Sequence, residues 1–507
     1  MEMLKISKDW AWGLFYVVLL ASASALALSK RQREAFLGRF NIRRRRASGA
    51  STPPRSFSPS NTADDKPPVT PALDHRTSFP PSRREALAVL AKSASVANRK
   101  ILTGTEPSRD FLLNNPLPIT RSYDLDNEVP KYTPTGFSTA EIKAMGDFPA
   151  YDVLSGVPLP QPYENFNPET ALPRPYRPIR WAYHQTMSLT KMEPDWWLEV
   201  ESTYVQRVNE RKELYRLHGK MVLDYLPGSE LVCKELMEMC LQFYCARYPS
   251  YFSLSTDNST FHNRLLDSTT DIKSMHPLLV LLNNVPEDFA IVLRNEKDGM
   301  YYFRAGTVCS SLGWNVSTKI GLQLKDIHTT VADYKEKMSF SMDRYFTKMP
   351  TTMPIQRGSW SLEIDKPLFM PPGHPHEALR SQQKPDLKKE DCYLRVDWQT
   401  LRRLPLSAGV VFNFKALFTP VVEFRDEPYV PALVLKNLKE GKKNLMEYKG
   451  TWHVEHIIIP LMEEYAREQV ENGVVKVEDG KEWEVTTLEE SPYFSGWEEK
   501  WHRQQGF

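Results

Sequence analysis

The second half of the chain constrains the fold most, because five strand-like runs follow one another there. Their bounds are Phe289–Asn295, Met300–Cys309, Gly358–Asp365, Cys392–Leu404 and Gly409–Phe424. The last run alternates with a period of two, as a strand does when its two faces meet different surroundings. One face carries Phe412, Phe414, Ala416 and Phe418, and the other carries Asn413 and Lys415.

Helix-like segments lie on both sides of these runs. Pro194–Leu217 and Ser229–Tyr248 precede them, the second with Ser229 as its N-cap, and His453–Gln469 follows them, with Pro460 as a candidate point of interruption. A further helix is predicted over Val331–Phe346. The order of helices, strands and a final helix predicts an α+β fold with a mostly antiparallel sheet.

The N-terminal region predicts a membrane anchor. Trp10–Ser29 is a run of 20 residues without a charge, which is long enough for a helix to cross a bilayer. Basic residues dominate the segment after it, including Arg43–Arg46, so the positive-inside rule places the rest of the chain in the cytosol. We expect a single-pass protein of the endoplasmic reticulum or another endomembrane. A cleaved signal peptide is the alternative.

Composition divides the chain into three parts. Residues 1–29 form the tail and anchor, and residues 30–118 form a basic segment and a Pro- and Ser-rich linker that we expect to be disordered. Residues 119–507 are dense enough in apolar side chains to form the folded domain. The net charge of +2 gives no support for a nucleic-acid partner. The five cysteines contain no C-x-x-C pair, so neither a disulfide framework nor a zinc site is indicated.

Common catalytic signatures are absent from the sequence. It contains no G-x-S-x-G, no G-x-G-x-x-G and no P-loop. The acidic pair at Asp124–Asp126 is too short a pattern to indicate a metal site. His453 and His456 are one helical turn apart, but no further ligand is evident, so we interpret them as a helix surface. His328 has apolar neighbours and precedes a predicted helix, which by itself indicates a partly buried histidine.

Three segments in a fixed order resemble one protein family. They are AGTVCSSLGW at 305–314, KIGLQLKDIHTTVADY at 319–334, and LRVDWQTLRRLPLSAGVVFNFKALFTPV at 394–421. Together they resemble the haem-dependent oxidative N-demethylase α-subunit-like family, whose fungal branch is labelled the HRQ family. The resemblance spans about residues 183–469. Three positions depart from the family pattern: Trp398 replaces a usual basic residue, and Thr330 and Ala332 replace two prolines after His328.

The resemblance implies a PAS-like antiparallel sheet with flanking helices that binds haem b. It implies oxidation of a small methylated amine to a shorter amine and formaldehyde, with electrons supplied by a separate protein. His328 is then the axial ligand to the iron. Arg395, Arg402 and Arg403 are further cofactor-binding candidates, since guanidinium groups bind carboxylates such as the haem propionates. Gln399 is a candidate because it matches a position of the family motif. Asp397 is the candidate partner of an ammonium substrate.

Two other functions fit parts of the sequence. A non-catalytic PAS-like sensor or scaffold would keep the fold and bind another ligand or a partner. A luminal glycosyltransferase-type enzyme would share the layout of a short tail, one span, a stem and a large domain. In that topology the sequons at Asn258 and Asn315 would be glycosylated, but the basic flank after the span favours the cytosolic orientation.

Overall fold

The computed structural model describes residues 133–184, 186–295, 298–476 and 486–507. The predicted span at Trp10–Ser29 and the linker after it lie outside these ranges. Within them, no helix combines the length and the apolar character that a membrane crossing requires.

A seven-stranded antiparallel sheet forms the centre of the domain, which confirms the α+β prediction. Its strands are β1 Thr190–Lys191, β2 Leu223–Tyr225, β6 Asp288–Arg294, β7 Tyr301–Thr307, β8 Ile355–Ile364, β9 Cys392–Arg403 and β10 Val410–Pro420. They lie in the order β1-β8-β9-β10-β6-β7-β2. Each of the five predicted strand runs therefore contributes a strand to this sheet.

A smaller sheet and the helices surround it. The small sheet consists of β3 Phe252–Leu254, β4 Thr260–Asn263 and β5 Ser268–Asp271. The helices of the first half are α1 Thr139–Met145, α2 Tyr151–Ser155, α3 Tyr204–His218, α4 Glu230–Arg247 and α5 Pro277–Asn284. Those of the second half are α6 Val316–Lys319, α7 Leu324–Ile327, α8 Tyr334–Lys337, α9 Ser339–Lys348, α10 Val430–Glu440, α11 Lys443–Lys449, α12 Trp452–Glu471 and α13 Trp497–Gln505.

The two faces of the central sheet meet different layers. On one face, Phe289, Ile291 and Val411 pack with α4 and α5, and Val396 and Trp398 pack with α10 and α12. On the other face, Val410, Phe414 and Leu401 pack with α9 and with the chain before it. Because alternate residues of a strand point to opposite faces, the pattern predicted for β10 is confirmed.

The predicted helix Pro194–Leu217 is shorter in the structure. A 3-10 turn covers Pro194–Trp196, and α3 begins only at Tyr204. Residues 197–201 between them, including Trp197 and Leu198, are buried, and the Nζ of Lys415 donates to the Glu199 carbonyl at 2.6 Å. This buried stretch has no face that could be exposed to solvent, whereas α3 exposes one of its faces. The helix therefore begins only after the buried stretch ends.

Other boundaries also differ from the predictions. The predicted helix Val331–Phe346 is divided between α8 and α9, whereas α12 runs through Pro460 without interruption. The predicted helix after Ser229 is confirmed, but the Ser229 hydroxyl donates to the Leu226 carbonyl at 2.7 Å instead of capping α4.

Candidate functional site

Strand β9 carries most of the predicted site residues and presents them on one face. In the register, Gln399 pairs with Arg357 and Phe414, and Asp397 pairs with Ser359 and Ala416. We call the face that carries Arg357, Asp397, Gln399, Phe412 and Phe414 the site face. Arg402 is an odd number of residues away from Gln399 along β9, so its side chain lies on the other side of the sheet.

Arg395 lies at one end of the site face and is fully occupied by local contacts. Its guanidinium donates to the carbonyls of Pro367, at 2.7 Å, and of Ser310. Its Nε donates to Oδ1 of Asp397 at 3.0 Å. Arg395 therefore orients Asp397 and holds two loops, and it has little capacity left for a ligand.

Arg403 and Arg402 also hold the chain together. Arg403 lies at the other end of the site face and donates to four partners, the carbonyls of Met349, Ala408 and Phe346 and the Tyr301 hydroxyl. Arg402 lies 4.4 Å from the ring centre of Trp197, and burial lowers its pKa to about 10. Both guanidinium groups thus have structural roles, and their role in cofactor binding stays a prediction.

His328 lies directly after α7 with its ring in a defined orientation. Its Nδ1 is 2.6 Å from the Leu324 carbonyl oxygen, and its ring stacks on Tyr334 with centroids 4.8 Å apart. Burial lowers the pKa of the imidazole, and the charges of Arg357 and Lys319 lower it further, against the opposing effect of the Leu324 bond.

The Leu324 bond fixes the tautomer of His328. A carbonyl oxygen only accepts hydrogen bonds, so Nδ1 must carry the proton and Nε2 must present its lone pair. A histidine that binds a metal commonly donates its second ring N–H to a carbonyl in this way. No hydrogen bond to Nε2 occurs among the residues that the structure describes, so Nε2 is available to a ligand.

Two cations of the site were missed by sequence reasoning, Arg357 and Lys449. Lys449 is only 4% exposed, and its Nζ donates to the Ser359 hydroxyl at 3.1 Å. Burial, followed by the charge of Arg357, lowers the pKa of Lys449 to about 7. Arg357 acts on the pKa of both His328 and Lys449, and the Ser359 that Lys449 contacts lies two residues from Arg357 on the same face of β8.

No local sequence signal identifies these two residues. Lys449 is the last residue of an ordinary amphipathic helix, and Arg357 lies in a strand whose register is set by distant residues. Their proximity depends on how α11 packs against β8, which the sequence pattern does not specify.

Aromatic side chains provide the apolar wall beside these polar groups. The rings of Phe412 and Phe414 are 5.4 Å apart, and Trp314 lies 6.3 Å from Phe414. The site face and the segment that carries His328 therefore provide an imidazole nitrogen without a partner among the described residues, an aromatic wall, a buried lysine and a half-buried arginine. This combination suits a planar apolar group that carries anionic substituents and an atom with a vacant coordination position.

A separate cavity, of about 200 Å³, lies elsewhere in the domain. It is lined by Tyr151, Leu231, Glu235 and Leu406, among others. Burial raises the pKa of Glu235 to about 7, although its carboxylate accepts bonds from the backbone N–H groups of Leu406 and Ser407. Glu235 thereby fixes the turn between β9 and β10, and His328 does not contribute to this cavity.

The histidine pair on α12 does not form a metal site. His453 is buried, so the prediction of a helix surface is wrong for this residue, and burial lowers its pKa to about 4. The Nε2 of His456 donates a hydrogen bond to the Lys384 carbonyl oxygen at 2.8 Å. Across the described ranges, no group of three or more His, Cys, Asp or Glu residues is placed to hold a metal ion.

Comparison with protein families gives one match. The model described as haem-dependent oxidative N-demethylase, alpha subunit-like, matches residues 188–459, which is more than half of the 507 residues. The matched range contains His328, Arg357, Asp397, Gln399 and Lys449.

Proposed function

The chain belongs to the haem-dependent oxidative N-demethylase alpha-subunit-like family, and from this premise we propose that it is an oxidoreductase that acts on a small methylated amine at a haem b. The observation that carries the proposal is the state of His328. Its neutral ring donates through Nδ1 to Leu324 and leaves Nε2 without a partner among the described residues.

The residues of the site face fit haem. His328 would supply a nitrogen ligand to the iron, and Phe412, Phe414 and Trp314 would supply the apolar wall that a porphyrin requires. The sequence contains no C-x-x-C-H for covalent attachment, which favours the b type. We expect the flanking helices α6–α9 to cover the cofactor against the sheet, as in a PAS-like domain.

When bound, haem would supply the oxidising chemistry of the demethylation. The overall reaction would convert the methylated amine, dioxygen, two electrons from a donor and two protons into the shorter amine, formaldehyde and water. Asp397 orients the substrate. Its Oδ1 accepts from Arg395, and its side chain is 30% exposed on the site face, so Oδ2 can accept a bond from a substrate ammonium.

Replacing Asp397 with asparagine tests this assignment. We expect kcat/KM for small methylated amines to fall about 10- to 100-fold, the effect of losing a charge-assisted hydrogen bond, mostly through a higher KM. Formaldehyde release is measured with the haem-loaded chain, dioxygen and a chemical reductant. The haem spectrum should stay unchanged, because Asp397 does not ligate the iron. The exposed Asp386→Asn serves as control, and equal turnover by both variants and the wild type would contradict the role of Asp397.

We further propose that electrons arrive from a separate protein. The family description is that of an alpha subunit, which implies partner subunits. The site face is bordered by half-buried residues such as Phe418 and Asp397, so an electron carrier can approach it.

The proposal includes a membrane tether through Trp10–Ser29. It places the folded domain on the cytosolic side of an endomembrane. In sealed microsomes, we expect the chain to resist extraction at alkaline pH and its domain to be digested by added protease without detergent. Protection from the protease, together with glycans on Asn258 or Asn315, would overturn this topology.

A further inference from the structure

Lys449, which is buried, and Arg357, which is half-buried, are two cations without counter-ions in the described part of the chain. No carboxylate in the described part of the chain lies within ion-pair distance of either side chain, although several other buried cations of the domain have one. The Nε of Arg357 is buried without any hydrogen-bond partner in the same ranges. The Ser359 hydroxyl that Lys449 contacts belongs to a residue two positions from Arg357 on the same face of β8, so the two charges lie near each other. A charge taken out of water without a partner is unfavourable, so the two cations indicate a site for an anionic ligand.

The residues around Lys449 do not neutralise its positive charge. Its Nζ lies near the rings of Tyr183, Trp360 and Tyr448, and Ser359 is its only hydrogen-bond partner among the described residues. Two charged groups act on its pKa, Arg357, which lowers it, and Asp397, which raises it. Asp397 is already paired with Arg395, so it does not neutralise both cations.

We propose that Arg357 and Lys449 bind the two propionate carboxylates of the haem. The inference rests on the proposed function, since the charge of Arg357 acts on His328, the proposed haem ligand. Two cations match two carboxylates, and both kinds of cation bind carboxylates well. The guanidinium donates two parallel bonds, and the ammonium acts as a point charge. Lys449 is itself only 4% exposed, and a low local dielectric strengthens its contact with a carboxylate.

The first measurement is the affinity of the full-length chain for haem. Lys449→Met and Arg357→Met should each weaken binding about 10- to 100-fold, the range of a charge-assisted hydrogen bond. Lys449→Arg keeps the charge and should retain most of the affinity. The matched control is Lys443→Met, the same substitution at an exposed position of the same helix, which should bind as the wild type does.

The second measurement separates the propionates from the rest of the cofactor. Haem dimethyl ester carries the same iron and ring but has no carboxylates. The wild type should prefer haem to the ester by about 10-fold or more, and the Lys449→Met and Arg357→Met variants should lose this preference. Replacement of His328 should weaken both probes equally.

The third measurement distinguishes a binding role from a structural one. Without haem, Lys449→Met should raise the melting temperature, because it removes a buried cation that has no counter-ion. The folded pKa of about 7 lies below the usual 10.5, so protonation of Lys449 opposes folding. The gain should be complete below about pH 7 and should shrink as the pH rises towards 10.5.

These results decide between the claims. Weaker haem binding, a lost preference over the ester and a more stable haem-free variant support the propionate assignment. Unchanged affinity and preference, or a destabilised Lys449→Met, would overturn it while haem binding through His328 stands. A wild type that binds neither haem nor its ester would overturn the proposed function and this inference with it.

Discussion

Replacing His328 with alanine is expected to remove the Soret absorption of the haem-loaded protein and to weaken haem binding by more than about 100-fold. Loss of an outer hydrogen-bond partner alone typically reduces metal affinity about 10- to 100-fold, and loss of the ligand itself should exceed that. The fold should tolerate the change, because the ring makes one hydrogen bond and one stacking contact, to Leu324 and Tyr334. Absorption titration of the full-length chain with haem measures the effect.

The control is His184→Ala, since His184 is exposed. Added imidazole provides a second arm, because it can enter the space left by the His328 side chain and restore a nitrogen ligand. Haem binding should then recover in His328→Ala and stay constant in the control. If His328→Ala keeps both the absorption maximum and the affinity of the wild type, another residue binds the iron and the assignment fails.

The sheet was predictable because its signal is local. The alternation of Phe412, Asn413, Phe414 and Lys415 predicts which side chains share a face of the sheet, and the structure confirms this prediction. The bounds of the predicted helix at Pro194–Leu217 were not predictable, because burial of Trp197 and Leu198 is decided by residues far along the chain.

The candidate site was predictable only in part, for the same reason. Sequence reasoning selected Arg395, Arg402 and Arg403 because of their charge. In the structure, Arg395 donates to a backbone carbonyl and to Asp397, and Arg403 donates to a backbone carbonyl and to Tyr301. Arg402 lies over the ring of Trp197. Whether a guanidinium is free or occupied depends on partners distant in sequence. Arg357 and Lys449 stay without a counter-ion because none of the described residues packed around α11 and β8 brings a carboxylate to them.

The departure from the family pattern at Trp398 acts on the other side of the sheet. Trp398 is 2% exposed and packs in the core with Val396 and Trp360, whereas its neighbours Asp397 and Gln399 lie on the site face. Adjacent residues of a strand point in opposite directions, so Trp398 does not line the site. Trp398 therefore contributes to the packing of β9 against α10 and α12, and its side chain is not part of the site face.

Replacing Glu427 with alanine is expected to have the largest effect on stability. Glu427 is fully buried, and its two carboxylate oxygens accept bonds from Arg177 at 2.8 and 2.7 Å. Lys500 lies 3.2 Å from one of the same oxygens. The substitution leaves two buried cations without their shared partner, and breaking such a buried pair costs about 3–5 kcal/mol. Urea denaturation of the haem-free chain measures the loss.

Loss of Glu427 should also affect the segments that lie outside the region matched by the family model. Arg177 precedes residues 188–459 and Lys500 follows them, so Glu427 connects both flanking segments to the family core. We therefore expect Glu427→Ala to increase proteolysis near both Arg177 and Lys500 before the central sheet unfolds. The control is Glu440→Ala, which removes an exposed pair with Lys436 and should change stability by about 1 kcal/mol or less. Equal stability of the two variants would mean that the flanking segments fold independently of Glu427, and the folded unit would then be the matched region alone.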